Sequence, residues 1–269
     1  RIQRHLFSVD IVKLIGVNDP VLGPVYGPKN EAYLGDIDGM STALSADYGV
    51  IRRLAVSANL PYVSSKYMGL APESAIDNGK YHGGIQDITL GARYMLPVRG
   101  VAITPLINAN IPLATYETLG HTARGRGVHT YEFGFNAGRT AGPWLPFLYG
   151  SVGYSRILVP DMAGMKLDKN VYNAALGYFV TAALTVRGQF TYLNTADGMD
   201  WFWMSGSDFM DHDVASNESY RRAALQVGYS LSEHLGVSVS GLKTLNGANT
   251  HAINNITMSA NWGFWMKRD

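Results

Sequence analysis

The sequence predicts an all-β fold, a transmembrane antiparallel up-and-down β-barrel of about twelve strands, on three observations. Charged residues make up only 16% of the 269 residues, against about 25% in soluble domains, while Gly and Tyr are abundant. Segments of about ten residues, the length of a membrane-spanning strand, are joined by short turns and long polar loops in alternation. Within these segments, apolar and polar residues alternate with the period of two that marks a strand with one apolar face.

The composition also excludes several classes of protein. No apolar run reaches the roughly 18 residues that a transmembrane helix needs. The absence of Cys excludes disulfides, thiolate metal sites and a cysteine nucleophile. A net charge of +1 argues against a dedicated nucleic-acid binder. The chain begins at Arg1 and residues 1–10 lack the apolar core of a signal peptide, which predicts a processed or N-terminally trimmed form.

The predicted elements follow one another in a regular order. Alternation is clearest in residues 53–63, 87–96, 130–138, 184–192, 222–229 and 256–264. Residues 145–157 form a further strand whose facing is ambiguous. Short turns are predicted at residues 50–52, 96–100, 139–143, 179–182 and 230–235. Long loops are predicted at residues 17–38, 66–82, 113–126, 158–167, 195–218 and 246–251. In an outer-membrane barrel the short turns face the periplasm and the long loops face the outside.

The number of strands depends on the N-terminal segment. Eleven strands are predicted between Ser41 and Trp265, and a twelfth at about residues 5–15. Because single-chain bacterial barrels have even strand numbers, the N-terminal segment is needed to complete the set. The chain, residues 1–269, is therefore predicted to be one barrel domain of a bacterial-type outer membrane, with residues 1–40 supplying a strand and a long loop.

Tyrosines near the strand ends support membrane placement. Tyrosine rings are expected at both interfaces of a barrel, because the ring is apolar and the hydroxyl needs water. Such residues are Tyr48, Tyr94, Tyr178 and Tyr229 before short turns, and Tyr62, Tyr131 and Tyr192 near long loops. The alternative is a soluble β-barrel or sandwich, whose polar face would carry more Lys and Glu than the Gly, Ser, Thr and Asn found here.

Four stretches together resemble a known family: residues 46–49, 53–56, 60–63 and 84–94, the last reading GIQDITLGARY. The pattern is similar to that of the outer-membrane transporter family associated with the meta-cleavage pathway of phenol degradation, and it is strongest over residues 40–112. The resemblance implies a barrel that passes small apolar or aromatic compounds.

Several charged residues fall on the predicted polar faces of the strands. They are Asp47, Arg53, Asp87, Arg93, Glu132, Arg187 and Arg222. A lipid-facing Arg or Lys near the midplane costs about 2–4 kcal/mol, so these residues are predicted to line the lumen. They either form an interior network that fills a narrow barrel or line a pore and select solutes. Asp87 and Arg93 are about 20 Å apart along one strand, so each is expected to pair with a neighbouring strand.

Two loops stand out. Residues 196–216 combine aspartates with exposed aromatics, among them Trp201, Phe202 and Trp203, which would collect apolar solutes, contact a protein partner or pack over the barrel mouth. The spacing of a Ca²⁺-binding EF-hand is absent, so neither a metal nor another cofactor is expected. Residues 16–29, rich in Gly and Pro, would form either an inward plug or, as is favoured, an ordinary external loop.

No enzymatic motif is found. The sequence has no Gly-x-Ser-x-Gly elbow, P-loop, dinucleotide fingerprint or His-Glu-x-x-His pair. The candidates for a hydrolase are His121, in a predicted loop near Arg124 and Arg126, and His129, which lies with Glu132 near a barrel rim. The position of His121 suits a solvated or anion-facing loop as well as a catalytic one, and a His at a rim is usually an interfacial residue. The sequence thus favours a non-enzymatic channel that passes small solutes by passive diffusion, with membrane lipid as its surroundings. The alternative is a structural or partner-binding barrel with a filled lumen.

Overall fold

The structure is a computed structural model. It describes residues 2–14, 21–22, 31–32, 35–69, 77, 79–120, 122–143, 145–162, 164–200 and 212–267. Side chains are described from Ile37 to Gly263 within those ranges, except those of residues 212 and 213. The Trp201, Phe202, Trp203 and His121 predictions, and most of the predicted plug at residues 16–29, therefore lie outside the described residues.

The described chain is almost entirely β-structure. The strands are β1 (Ile2–Leu14), β2 (Val21–Leu22), β3 (Glu31–Ala32), β4 (Gly35–Ile51), β5 (Leu54–Gly69), β6 (His82–Ile85), β7 (Ile88–Tyr94), β8 (Leu96–Val98), β9 (Val101–Ile111), β10 (Thr130–Thr140), β11 (Leu148–Leu158), β12 (Lys169–Phe179), β13 (Leu184–Thr195), β14 (Ser219–Ser230), β15 (Leu235–Ala248), β16 (Thr250–His251) and β17 (Asn254–Lys267). One described helix, α1 (His212–Ala215), is four residues long. No described helix has the length and apolar character to cross a membrane.

The long strands close into a ring. Each pairs antiparallel with its neighbours in the order β9-β10-β11-β12-β13-β14-β15-β17-β1-β4-β5-β7, and β7 pairs with β9 to complete it. The described ring therefore holds twelve strands, and β1, paired with both β17 and β4, is the N-terminal member that the even count required. The prediction of an antiparallel barrel of about twelve strands is confirmed.

One wall strand is interrupted. β6 and β7 both pair with β5, and β8 pairs with β9, so the three form one broken strand from His82 to Val98. The break after β6 falls at Gln86 and Asp87, where the backbone leaves the regular ladder. Asp87 is thereby placed in the wall without being part of a strand, and its side chain is buried.

The two ends of the barrel differ in their connections, as predicted. At one end, short links of two to seven residues join the strands, and the ends of β1 and β17 lie beside each other. The tightest link has Arg99 and Gly100, both with positive φ (48° and 82°), as a two-residue hairpin of type I′ requires. At the other end run the long connections, among them residues 112–129, 159–168 and 196–218.

The outer face of the wall is apolar. Every described wall strand with described side chains exposes a large apolar residue on this face, namely Leu44, Val56, Leu90, Ile107, Phe133, Val152, Leu176, Phe190, Leu225, Val239 and Met258. Tyr48, Tyr94, Tyr178 and Tyr229 form an exposed aromatic row near the short links, and Tyr154, Tyr172 and Tyr192 pack ring against ring nearer the long loops. An apolar band between two aromatic rows is the lipid-facing surface of a membrane barrel.

The inner face is polar and internally hydrogen-bonded. Pairs on adjacent strands bond across the wall: Ser45 with Asn59 at 2.7 Å, and Thr191 with Asn173 at 2.9 Å. Further inward pairs are Thr89 with Asn110, Asn108 with Glu132, and Gln226 with Ser238. Small and polar residues therefore leave room inside the ring, and the strand β11, whose facing the sequence left ambiguous, turns Ser155 inward and Val152 outward.

Candidate functional site

The connection between β9 and β10, residues 112–129, is the feature that shapes the interior; we name it the crossing loop. At its start, the Tyr116 hydroxyl donates a hydrogen bond to Asp87 Oδ1, and it accepts one from the backbone N–H of Gly127 at 3.0 Å. Asn110 on β9 donates to the other Asp87 oxygen at 3.1 Å. Burial, and then the hydrogen bond to Asp87, raise the pKa of Tyr116 to about 12, so the phenol is a neutral donor at ordinary pH.

The far side of the crossing loop is held by a buried ionic cluster. Arg126 Nη2 lies 3.2 Å from Glu218 Oε2, and Lys169 Nζ lies 2.5 Å from the same oxygen. Thr250 donates to Glu218 Oε1 at 3.0 Å. Burial raises the pKa of the Glu218 carboxyl, but Lys169, Arg126 and the hydrogen bonds outweigh it and lower the pKa to about 2. Glu218 is therefore an ionised anchor for two cations.

These two anchors stand on opposite sides of the ring. Asp87 lies in the broken strand β6–β8, and Glu218 directly precedes β14. Counted along the pairing order, the two strands are six steps apart in either direction. The contacts of the crossing loop therefore link two strands on opposite sides of the ring, the second of them through the side chain of Arg126. The crossing loop is an inward-folded loop, a role that the sequence left open for residues 16–29 instead.

A third contact ties the crossing loop to the connection before β6. The Thr122 hydroxyl donates to the buried carboxylate of Asp77, whose backbone carbonyl lies 2.8 Å from His82 Nε2. Gly120 approaches this carboxylate with φ +80°, and a Cβ there would lie 2.9 Å from Asp77 Oδ1. Close packing at Gly125 is tighter still, since a Cβ would lie 2.3 Å from the Tyr116 hydroxyl. Both glycines are needed for the loop to fit inside.

Two cavities lie beside the crossing loop. The larger, the mouth cavity, has a volume of about 510 Å³ and is bordered by Thr118, Ala123 and Arg126 of the loop and by wall residues of β4, β5 and β11 to β14. The smaller, the side cavity, has a volume of about 370 Å³ and lies between the loop and the wall that carries Asp87. Both touch Gly125, Arg126, Ile157 and Lys169, so the loop lies between two spaces within one barrel.

The residues predicted to line the lumen fall at different levels. Asp87, Glu132 and Arg222 lie toward the long loops; Glu132 accepts a 2.7 Å hydrogen bond from Asn108. Arg187 lies near the start of β13, and its Nε has no hydrogen-bond partner in the described part of the chain. The side chains reach no common point, so the structure places them along the barrel and not in one cluster.

Two expectations about these residues are wrong. Arg53 lies in the exposed two-residue turn between β4 and β5, at the rim, because β4 ends at Ile51 and β5 begins only at Leu54. Arg93 does not pair with a neighbouring strand. Its Nη1 lies 2.7 Å from Asp47 Oδ1 on β4, two strands away.

Arg93 can contact a residue two strands away because of the side chains that lie between them. At its level the intervening strand β5 carries only Ala55 and Ser57, which are too short to intercept a guanidinium. The long Arg side chain therefore passes over β5 to the carboxylate beyond.

Sequence reasoning missed the residues that hold the crossing loop, namely Asp77, Tyr116, Arg126, Lys169 and Glu218. Each sits in a predicted loop or at a strand end, where charged residues are ordinary. The available signal was the pair Arg124 and Arg126 beside glycines in a loop that also holds Tyr116, but it indicates no partner.

Comparison with solved structures agrees with this architecture. A crystal structure of an outer membrane channel from Pseudomonas putida F1 aligns over 97% of this chain and 95% of its own, with a TM-score of 0.74 at 11% identity. The NanC porin aligns over 96% of this chain and 100% of its own (TM-score 0.52, 9% identity). The KdgM porin in complex with disordered oligogalacturonate aligns over 96% and 99% (TM-score 0.55, 8% identity).

This chain has the fold of outer-membrane β-barrel channels. At such low identities the likeness concerns the fold alone. No protein-family model and no curated sequence matches the chain.

Proposed function

We propose that the chain is a bacterial outer-membrane channel that passes small solutes by passive diffusion through a narrowed lumen. The observation that carries this is the crossing loop, which spans a closed, polar-lined ring and leaves open spaces of about 510 and 370 Å³ beside it. Twelve strands lie between the roughly eight that side chains fill and the sixteen or more of wide aqueous porins. A partly filled lumen suits small solutes.

The orientation follows from the barrel's two ends. The short links face the periplasm and the long loops the outside, as in other outer-membrane barrels. A solute from outside would meet the mouth cavity first and then pass the crossing loop. It would leave beside Arg93, Asp47 and Arg187. Asp87, Glu132 and Arg222, which lie toward the long loops, would set the charge preference.

The solute class is the finer part of the proposal. The resemblance over residues 40–112 to the transporter family of phenol degradation favours apolar or aromatic compounds. The mouth cavity supports this choice, since Val63, Ile157 and Leu193 contribute apolar surface to it. The Trp201–Phe202–Trp203 segment, outside the described residues, stays a predicted collecting surface or a contact for a protein partner.

The test is single-channel recording of the refolded protein in a planar lipid bilayer. Discrete, reproducible current steps, with a reversal potential that reports ion preference, are the expected result. Folding is verified first by the heat-dependent shift in gel mobility that barrels show. A folded protein that gives no steps would overturn the channel.

The second candidate is a structural barrel with a filled lumen. It is favoured by the anchoring of the crossing loop at both walls, through Asp87 and Glu218, which would hold the interior shut. It predicts no current from the wild-type chain and current only after the loop is shortened.

A further inference from the structure

We propose that the mouth cavity is a binding site for small organic carboxylates with an apolar body, held by Arg222. This deepens the proposed function, on which it rests, by naming the class of solute that the channel admits.

The cavity wall is amphipathic. Its apolar surface comes from six side chains on separate elements, Ile37, Val63, Ile157, Leu193, Val214 and Ile253. Its volume of about 510 Å³ lies within the range of about 300–1,000 Å³ that small-molecule sites occupy. Such a wall receives a ring or a branched alkyl group, and a few polar groups then fix the orientation of the ligand.

Arg222 is held in place on this wall before any ligand arrives. Its Cζ lies 3.6 Å from the centroid of the Tyr220 ring, and its Nε donates to Thr244 Oγ1 at 3.3 Å. Thr244 also accepts the backbone N–H of Ile253 at 3.0 Å, which fixes the hydroxyl. Because the stacked, hydrogen-bonded guanidinium is already held in place, it loses little further conformational entropy when a ligand binds.

The backbone is shaped for this arrangement. The pairing of β14 with β15 shifts register between Arg221 and Arg222, so that Arg222 faces Thr244 while Arg221 faces Asn246. A β-bulge of this kind re-aims a side chain and is common beside functional sites. Here Leu245 is the extra residue of β15 and is 54% exposed, while Arg222 keeps the register that sets it opposite the buried Thr244.

Arg222 lacks an anion, unlike the other cations of the cavity. Arg126 and Lys169 share the carboxylate of Glu218. Within the described part of the chain, no carboxylate lies within 4 Å of Arg222, and its terminal nitrogens have no hydrogen-bond partner. The two terminal N–H pairs match the two oxygens of a carboxylate. Three cations and one carboxylate line the cavity, so its charge favours an anion, and Arg222 is the cation whose guanidinium is left to bind it.

The test compares two probes of equal shape on the full-length folded protein. Binding of benzoate and of its neutral counterpart benzamide is measured by isothermal titration calorimetry in detergent. The wild type is expected to bind benzoate about tenfold more tightly than benzamide, the effect of one charge-assisted hydrogen-bond pair. Arg222→Gln is expected to lose that preference, weakening benzoate by about tenfold and leaving benzamide unchanged. Arg222→Lys keeps the positive charge but lacks the planar pair of N–H groups of the guanidinium. Its preference for benzoate is expected to lie between those of the wild type and Arg222→Gln.

The matched control is Arg221→Gln. Arg221 is adjacent in sequence, but its guanidinium lies 5.6 Å from the ring of Tyr192 in the outer aromatic row. Benzoate binding should be unchanged in this variant. If Arg222→Gln fails to fold, the comparison of benzoate with benzamide on the wild type decides by itself.

Three results would overturn the inference: equal affinity for the two probes, no binding of benzoate, or an equal loss in Arg221→Gln and Arg222→Gln. These results can be told apart from a failure of the proposed channel function. A protein that conducts in the bilayer yet ignores benzoate refutes the carboxylate site alone. A protein that binds benzoate through Arg222 but never conducts refutes the proposed channel function and leaves the proposed carboxylate site standing.

Discussion

The two halves of the barrel interior are built from the same strands but packed differently. Toward the long loops, two largely buried carboxylates are held by polar partners: Glu218 by Lys169 and Arg126, and Asp87 by Tyr116. Toward the short links, the ion pair of Arg93 and Asp47 is open to water, with side chains 46% and 30% exposed.

Under the proposed channel function, this difference predicts where the barrel discriminates between solutes. Electrostatic interactions are strong where water is excluded and weak where it is not. The same wall alternation therefore builds one end whose ion pair is open to water and one end that is narrowed by the crossing loop. Each prediction below alters one half and leaves the other as a reference.

The largest effect is expected from removing the crossing loop. Replacing residues 114–127 with a short Gly/Ser linker removes Tyr116 and Arg126 and joins the two cavities. Single-channel conductance in a planar bilayer should rise several-fold, because the interior of a twelve-strand ring is wider than the present passage. Shortening the external connection between Pro160 and Lys166, none of whose described residues lines either cavity, is the control and should change the conductance little. Unchanged conductance in the loop variant would mean that the solute path avoids the loop.

The next largest effect is expected from Glu218→Gln. The substitution keeps the shape but leaves Lys169, whose side chain is 6% exposed, and Arg126 without their anion. Loss of one partner of a buried pair costs about 3 kcal/mol or more in the free energy of unfolding, measured by urea titration in micelles. Glu233→Gln, in an exposed turn with the side chain 83% exposed, is the control and should change it by less than about 0.5 kcal/mol.

The same cluster predicts a pH dependence. The pKa of Glu218 is lowered from 4.5 to about 2 in the folded state, so its contribution is complete above the unfolded pKa and is lost as pH falls through the folded one. Wild-type stability should therefore decline between about pH 4.5 and 2, by about 3 kcal/mol from this group. Glu218→Gln should lack that part of the decline. An identical acid profile for both proteins would show that the anchor is not ionised.

A smaller effect is expected from Tyr116→Phe. The variant removes the hydroxyl that donates to Asp87 and leaves Asn110 as the remaining donor. A cost of about 1–3 kcal/mol in the free energy of unfolding follows from the missing bond, with more frequent current fluctuations. Tyr81→Phe, whose exposed hydroxyl donates to Asp38 at 2.6 Å, makes the same chemical change outside the barrel and should cost less. Equal losses in the free energy of unfolding for the two variants would contradict the role of Tyr116 as an anchor of the crossing loop.

At alkaline pH, the phenol of Tyr116 is expected to keep its proton where an ordinary tyrosine loses its own. Its folded pKa of about 12 lies above the usual 10, so the bond to Asp87 is complete below pH 10 and is lost as pH rises through 12. No change in the anchor is expected between pH 5 and 9.

The smallest effect is expected from Arg93→Gln in the open half. Exposed ion pairs contribute less than about 1 kcal/mol, so the urea midpoint should hardly move. The reversal potential under a KCl gradient should shift slightly toward cation preference, because one positive charge leaves the lumen. Arg99→Gln, in the hairpin between β8 and β9, should leave the potential unchanged. A loss of stability comparable to that of Glu218→Gln would contradict the contrast between the two halves.

The fold was predictable because a barrel wall repeats one local rule. Outward Leu225 and Val227 alternate with inward Ala224 and Gln226, and that alternation is visible in any window of ten residues. The even strand count then required β1. The broken strand at Asp87 was not visible, since its residues still alternate.

The crossing loop was not predictable, because its partners are remote in sequence. Arg126 meets Glu218 across 92 residues, and nothing local to either residue specifies the other. The same limit explains Arg93, whose distance to Asp47 depends on the small residues of β5 between them. Inward placement of a charge follows from the cost of burying it in lipid, but its partner follows only from the assembled ring.

The proposal that solutes pass beside the crossing loop can be tested by chemically modifying the loop during current recording. The chain has no Cys, so a single Ala123→Cys places a unique thiol beside the mouth cavity. A charged methanethiosulfonate reagent should lower the single-channel current in irreversible steps, and the same reagent should leave Leu225→Cys, on the outer face, unaffected. Undiminished current through an Ala123→Cys protein shown by mass spectrometry to be fully modified would contradict the claim.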